Sequence, residues 1–256
     1  MMTKRFSFWV TNAVLAFFYL PIIALVITSV NASRFGGVWK GFSLKWYQQL
    51  FVDDLLWSAV RNSLLIGIGA TVVSSILGTL AALTLHRYRS MLQKAHYGLV
   101  YTPLVVPDVL MGISLLLFFV TVQLQLGLFT IFIAHTTFCL SYVTFVILSR
   151  LQTLDHALVE ASEDLGASYW QTFWRVTFPQ LIPAILSGAL LAFTLSIDDF
   201  VITFFVAGPG STTLPIYIYS LMKFGSTPVI NALSTLLIIA TFVIVWLVQK
   251  ITKEEP

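Results

Sequence analysis

The chain has 256 residues, of which 58% are hydrophobic and only 10% are charged. Soluble domains are about one quarter charged, so this composition excludes a water-soluble globular domain and indicates a membrane protein. The formal net charge of +3 gives no reason to expect a nucleic-acid partner, because the basic residues that flank membrane spans account for it.

Six apolar stretches are long enough to cross a bilayer, whose hydrocarbon core takes about 20 helical residues. They predict an all-α integral membrane protein with spans at Phe8 to Val30, Ser63 to Leu85, Gly98 to Val122, Leu126 to Leu148, Leu181 to Ala207 and Ala232 to Val248. The first stretch follows Lys4 and Arg5, as a signal peptide would, but it is longer than the about 7 to 15 residues of a signal core. The distribution of Lys and Arg favours cytoplasmic N- and C-termini.

Three aspartates lie within these apolar stretches, Asp108 in the third and Asp198 and Asp199 in the fifth. An ionised carboxylate at the middle of a membrane helix costs about 2.5 to 3.5 kcal/mol, so a cation or water is expected to meet each one. Pro107 precedes Asp108, which predicts a broken helix with a carboxylate at the break. The alternative for each aspartate is a structural acid that is neutral or hydrogen-bonded to a neighbouring helix.

Consecutive residues of a helix point about 100° apart, so Asp198 and Asp199 are expected to face different surroundings. One of them would face a transport pathway, and the other a subunit contact or the edge of the pathway. Ser196 lies three residues before Asp199 on the same face, although a serine in a membrane helix usually bonds its own backbone. The four histidines show no metal-ligand spacing and are interpreted as interfacial or packing residues: His86, His96, His135 and His156.

The polar segment between the fourth and fifth spans predicts two short helices on the cytoplasmic surface. Asp155 can cap the first helix, and Gly166 can end it. Ser168 and Gln171 have the spacing of a capping box for a second helix, which must end before Pro179. The outer face of the pair is acidic, at Glu160, Glu163 and Asp164. Anionic headgroups repel carboxylates, which favours a protein partner over an amphipathic connector resting on lipid.

The same segment resembles the EAA loop of ATP-binding cassette importer permeases. The resemblance lies in Glu160-Ala161-Ser162, Gly166 and Val176-Thr177-Phe178-Pro179, with Ser162, Val176 and Phe178 in place of the usual Ala, Ile and Leu. In that family the loop is a coupling helix that docks into a cleft on a cytoplasmic ATPase. The resemblance therefore implies that the ATPase is contacted by Glu160, Ala161, Ser162, Gly166 and Pro179.

Residues 41–51, 196–210 and 213–237 are similar to the permeases of spermidine and putrescine importers. This resemblance implies a type I importer permease fold in the bacterial inner membrane, as one transmembrane permease domain over residues 1–256 with a permease core at 59–248 and a coupling loop at 150–180. It further implies the second of two permease subunits, a different permease chain beside it, two ATPase subunits that hold ATP and magnesium, and a periplasmic substrate-binding protein. Because Trp46 lies in the first of these segments, it is a candidate substrate contact, with an interfacial aromatic belt as the alternative.

The residues of the spans fit a polyamine cargo, because spaced ammonium groups need carboxylates and aromatic faces. The predicted pathway residues are Asp108, Asp198, Asp199, Ser196 and Trp46. No nucleotide-binding G-x-x-x-x-G-K-[ST] motif occurs, so ATP hydrolysis is expected on a partner chain and this chain is not predicted to be an enzyme. The alternative is a secondary transporter that couples organic cations to protons through its aspartates, which would not need the acidic loop.

Overall fold

The computed structural model describes residues 2–34, 38–87, 91–223, 225 and 227–252. These residues are almost wholly helical, and the one strand-like feature among them is an isolated bridge between Asn31 and Phe42. The all-α prediction is confirmed. The described helices are α1 (Met2–Ser29), α2 (Lys45–Phe51), α3 (Asp54–Arg87), α4 (Met91–Val105), α5 (Asp108–Thr121), α6 (Leu128–Gln152), α7 (His156–Asp164), α8 (Tyr169–Thr172), a π-helical segment (Phe173–Thr177), α9 (Phe178–Asp198), α10 (Val201–Val206), α11 (Leu214–Lys223) and α12 (Thr227–Thr252).

Four helical stretches of the described chain are long and apolar enough to cross a membrane: Phe6–Ser29, Asp54–Arg87, Leu128–Gln152 and Tyr169–Asp198. The pair α4 and α5 adds a fifth crossing if the two helices form one broken span. The predicted sixth span, Ala232 to Val248, falls within α12. A multi-pass membrane protein is therefore confirmed, while the count of six spans and the cytoplasmic termini stay predictions.

The predicted third span is not one straight helix. Helix α4 ends at Val105 and α5 begins at Asp108, and the two axes are bent by 116°. Pro107 lies at the break and is the N-cap of α5, as expected for a residue that has no amide hydrogen and disfavours helix in the residue before it. The predicted break beside Asp108 is confirmed.

The sequence predicts a fifth span that is continuous to Ala207, and this prediction is wrong. Helix α9 ends at Asp198, and Asp199 has extended backbone angles, φ −66° and ψ 118°. The Asp199 carboxylate accepts hydrogen bonds from the backbone N–H groups of Ile202 and Thr203, at 3.2 and 2.8 Å. A short side chain that bonds nearby amides competes with the helix hydrogen bonds, so the chain restarts as the separate helix α10.

The described helices form two compact units, residues 1–56 with 217–256 and residues 57–216. In the first unit, α12 packs against α1 and α2. In the second, α6 is the central helix and packs against α4, α9 and α10, while α5 packs against α10. The core of the second unit includes a fully buried stripe of α6 at Ile131, Ala134, Cys139, Val143 and Ile147.

Gly78 permits a close approach of α3 to α6. A Cβ atom added at Gly78 would lie 2.8 Å from Cγ1 of Val143 and 3.2 Å from the backbone nitrogen of Thr144. We expect Gly78→Leu to destabilise the protein by about 1 to 3 kcal/mol, because overpacking forces the two helices apart. The matched control is Gly98→Leu, since a Cβ at Gly98 meets no atom within 4 Å. Thermal unfolding of both variants in detergent would measure the difference, and equal midpoints would contradict the prediction.

Candidate functional site

A cavity in the second unit brings together the three intramembrane aspartates. It has a volume of about 270 Å³ and is lined by residues of α4 to α6, α9 and α10, among them Asp108, Asp198, Asp199, Phe138, Tyr142 and Thr194. Asp108 is the first residue of α5 and Asp198 the last residue of α9. Both helix breaks therefore deliver a carboxylate to the same cavity, although the aspartates lie 90 residues apart in the sequence.

The three aspartates differ in what surrounds their carboxylates. Asp108 and Asp198 are exposed and have no hydrogen-bond partner among the described residues. Asp199 is half-buried, and its Oδ2 accepts from both the backbone N–H and the hydroxyl of Thr203, at 2.8 and 2.7 Å. Asp199 is thus engaged by the protein, whereas Asp108 and Asp198 have carboxylates that a cationic group can approach.

His135 on α6 is the site residue that the sequence interpretation missed. Its side chain is buried, and its Nδ1 lies 2.6 Å from Oγ of Ser196. Its Nε2 lies 2.8 Å from Oγ1 of Thr203 and 3.2 Å from Oδ2 of Asp199. These contacts satisfy both ring nitrogens of the buried His135 and join α6 to α9, to the break and to α10.

Ser196 and Trp46 do not line this cavity. Ser196 is 5% exposed and contacts His135 across the helix interface, so it does not follow the usual pattern of a serine bonded to its own helix. Trp46 lies on α2, in the other compact unit, where its Nε1–H donates to the backbone oxygen of Asn31 at 2.8 Å. The Lys45 amine lies 4.4 Å from the centre of the Trp46 ring. Whether Trp46 contacts substrate stays a prediction.

The two short helices of the predicted coupling loop are present, with the predicted caps. The Asp155 carboxylate accepts from the Ala157 N–H at 2.9 Å, and α7 ends just before Gly166, which has a φ of +82°. At α8 the Ser168 N–H donates to Oε1 of Gln171 at 2.9 Å, and the Ser168 hydroxyl accepts from the Gln171 N–H. The predicted capping box and glycine stop are both confirmed.

Pro179 does not end the second helix, so that prediction is wrong. Helix α8 continues through the π-helical segment into α9, where Pro179 occupies the first turn. The Phe178 N–H bonds the Phe173 oxygen, five residues earlier. The π-helical turn shifts the hydrogen-bond register by one residue directly before Pro179, which has no backbone N–H. The helix therefore continues through the proline.

The apolar face of the loop is open to solvent in the single chain. Leu165 is 89% exposed, and it lines a groove of about 540 Å³ together with Leu158, Ala161, Gly166 and Arg175. Glu160 is exposed on the same helix. The hydroxyls of Ser162 and Thr172 lie 3.0 Å apart and join α7 to α8. The loop therefore presents a preformed concave surface with acidic residues beside it.

The loop is also joined to the membrane helices at two points. The guanidinium carbon of Arg87, the last residue of α3, lies 4.3 Å from the centre of the Tyr169 ring on α8. The aromatic residues Trp170, Phe173, Trp174 and Phe178 contact one another where α8 runs into α9. These contacts join α8 to the end of α3 and to the start of α9.

Sequence comparison places the chain among transport proteins. The sequence model of the family described as "Binding-protein-dependent transport system inner membrane component" matches residues 74–253. The chain is 42% identical to the spermidine/putrescine transport system permease protein PotC of Haemophilus influenzae over 252 residues, which are 97% of this chain and 98% of the relative. It is 47% identical to the putrescine transport system permease protein PotI of Escherichia coli over 229 residues, which are 87% of this chain and 82% of the relative.

Structure comparison finds the same fold in a solved transporter. A bacterial ABC transporter involved in the import of the acidic polysaccharide alginate superposes with a TM-score of 0.74 at 18% identity, over 98% of both chains. A second structure of a bacterial alginate ABC transporter, in complex with an alginate pentasaccharide-bound periplasmic protein, gives a TM-score of 0.71 at 16% identity, over 96% of this chain and 93% of that chain. The likeness establishes the importer permease fold.

Proposed function

This chain belongs to the family of inner membrane components of binding-protein-dependent transport systems, and we propose that it is the polyamine-conducting permease subunit of an ATP-driven importer. In this proposal it forms half of the translocation pathway and carries no catalytic residue of its own. The relatives that match nearly its whole length are named as spermidine/putrescine and putrescine permeases. Their names supply the cargo class, and the cavity supplies a physical reason for it.

The observation that carries the proposal is the pair of unpartnered carboxylates in one cavity. Asp108 and Asp198 both line it and have no hydrogen-bond partner among the described residues. The rings of Phe138, Tyr142 and Phe200 line the same cavity. A flexible chain with ammonium groups at both ends fits this arrangement, because carboxylates bind the ammonium groups and aromatic faces accept cations and methylenes.

We propose that the α7–α8 loop docks onto a cytoplasmic ATPase subunit. The groove lined by Leu158, Ala161 and Leu165 leaves apolar surface exposed, and Glu160 lies beside it. An exposed apolar surface with a polar rim is typical of a protein interface. In this proposal ATP and magnesium are bound by the partner, and closure of two ATPase subunits pulls the loop together with α3 and α9.

The remaining partners of the proposal are a second permease subunit, encoded by a different chain, and a periplasmic substrate-binding protein. The description of the family as binding-protein-dependent supports the latter. A solved transporter of the same fold was crystallised with a substrate-loaded periplasmic protein. Proton-coupled secondary transport is the alternative that family membership disfavours.

The test is uptake by the complete importer in proteoliposomes. The chain would be co-purified from native membranes with its partner subunits, and radiolabelled spermidine and putrescine uptake would be measured with and without ATP on the ATPase side. We expect uptake that requires ATP and the binding protein and that persists when an ionophore collapses the proton gradient. Uptake driven by a proton gradient without ATP would overturn the proposal in favour of secondary transport. ATP-dependent uptake of other solutes only would overturn the cargo assignment.

A further inference from the structure

A buried histidine joins three elements at the break of the fifth span. His135 on α6 is 1% exposed, and its two ring nitrogens contact Ser196 on α9, Thr203 on α10 and Asp199 between them. Ser196 and Thr203 are also buried, at 5% and 0% exposed. These are side-chain contacts between residues 61 to 68 positions apart, so they fix α9 and α10 against α6 at the point where the helix is interrupted.

Of the two neutral tautomers of His135, one satisfies the whole network. With the proton on Nε2, the ring donates towards Oγ1 of Thr203 and Oδ2 of Asp199, and Nδ1 accepts from the Ser196 hydroxyl. The Thr203 hydroxyl then donates to the Asp199 carboxylate at 2.7 Å. With the proton on Nδ1, the unprotonated Nε2 would face the carboxylate oxygen at 3.2 Å with no hydrogen between them. The Asp199 contact therefore requires a proton on Nε2.

The network holds the residue that follows Asp198. Asp198 is the last residue of α9 and Asp199 the first residue of the break. The Asp199 carboxylate is held by the amides of Ile202 and Thr203 as well as by His135. Because the Asp199 side chain is held, the peptide that joins it to Asp198 is also held, and this peptide carries the Asp198 side chain that lines the cavity with Asp108.

We propose that His135 is a positioning residue for transport, which holds the α9–α10 break through Ser196, Asp199 and Thr203 and thereby sets the position of the Asp198 carboxylate relative to Asp108. The prediction for polyamine uptake rests on the proposed function, whereas the prediction for the labelling of position 198 does not. His135 touches no cargo in this proposal and acts only through the residues that it holds.

The geometric test measures the accessibility of position 198 without any cargo. Cys139 is the single cysteine of the chain and is buried, so Cys139→Ser gives a cysteine-free background. In that background, Asp198→Cys would be labelled in the assembled complex with a cationic methanethiosulfonate reagent. We expect His135→Leu and Thr203→Val each to change the labelling rate by about tenfold, because each removes a buried hydrogen bond that holds the break. His135→Gln, whose amide reaches the Nε2 position, should stay within about threefold of the parent.

The functional test separates positioning from general damage. With the native Asp198, His135→Leu and Thr203→Val should lower the maximal rate of spermidine uptake by about tenfold, since the binding protein captures the cargo and the displaced Asp198 carboxylate slows its passage through the permease. The ratio of the maximal uptake rates for spermidine and putrescine should also change, because the spacing of the two carboxylates changes. Thr137→Val is the matched control, since Thr137 is an exposed residue of α6 that bonds only its own helix, at Ile133.

The outcomes distinguish a failure of the positioning role of His135 from a failure of the proposed function. Unchanged labelling in both the His135→Leu and Thr203→Val variants would overturn the inference, whatever the cargo is. Equal losses of spermidine and putrescine uptake would also overturn it, because a purely structural role does not depend on the spacing of the ammonium groups. If His135→Leu does not assemble, Thr203→Val decides, since it removes the hydroxyl and keeps the backbone N–H that bonds Asp199. Failure of the parent complex to transport any polyamine would contradict the proposed function and leave the labelling result standing.

Discussion

Replacing Gly166 with proline is expected to abolish ATP-dependent uptake while the protein remains inserted in the membrane. Gly166 has a φ of +82°, and its N–H donates to the Glu163 oxygen at 2.8 Å. The next N–H, of Ala167, donates to the Ser162 oxygen at 3.1 Å, which completes a Schellman motif at the end of α7. Proline fixes φ near −65° and has no N–H, so neither the turn nor its first hydrogen bond can form.

The effect is expected to be specific to coupling, because the turn lies outside the membrane spans and sets the angle between α7 and α8. Gly166→Asn is the matched control, since asparagine tolerates a positive φ at a cost of about 1 kcal/mol or less. A Cβ at this position meets no atom within 4 Å, so the asparagine adds no clash. We would measure uptake, ATPase activity and the amount of ATPase retained on purification. Parental uptake by Gly166→Pro at normal expression would contradict the proposed docking role.

The ends of the short helices were predictable because capping is local. Asp155, Ser168 and Gln171 bond backbone groups two or three residues away, so their chemistry can be recognised without knowledge of the fold. The break at Pro107 is local in the same sense. Pro179 misled the interpretation, because the one-residue shift of the π-helical segment is not encoded by any single residue type.

The break at Asp199 and the role of His135 were not predictable from the sequence in the same way. The stretch around Asp199 has no proline or glycine to signal an interruption, and mean hydropathy favours one long span. The interruption depends on Asp199 bonding amides ahead of it and on His135, which is 64 positions away in the sequence. A lone histidine in an apolar span is compatible with many partners, and only the packing of α6 against α9 and α10 selects these.

The two exposed carboxylates of the cavity, those of Asp108 and Asp198, are expected to be required for polyamine uptake. Asp108→Asn and Asp198→Asn should each reduce polyamine uptake by about tenfold or more, because a hydrogen bond to a charged group contributes about 1.5 to 3 kcal/mol. Both carboxylates are without a partner among the described residues, so asparagine removes the attraction for an ammonium group and disturbs no contact of the resting protein. Asp→Glu at either position retains the charge in a cavity of about 270 Å³ and should do less harm.

Asp199 serves as the structural comparison for Asp108 and Asp198, because its carboxylate is engaged by the protein. Its carboxylate caps α10 and contacts His135, so Asp199→Asn should lower the amount of assembled complex, and Asp199→Glu should do the same because the longer side chain no longer matches the cap. At Asp108 and Asp198 the structural alternative predicts that asparagine is tolerated and glutamate is not, whereas the pathway role predicts the reverse. Radiolabelled spermidine uptake, normalised to assembled complex, would be measured for both substitutions at all three positions. If the Asn variants at Asp108 and Asp198 transport like the parent while the Glu variants fail, these carboxylates hold helices together and do not bind the cargo.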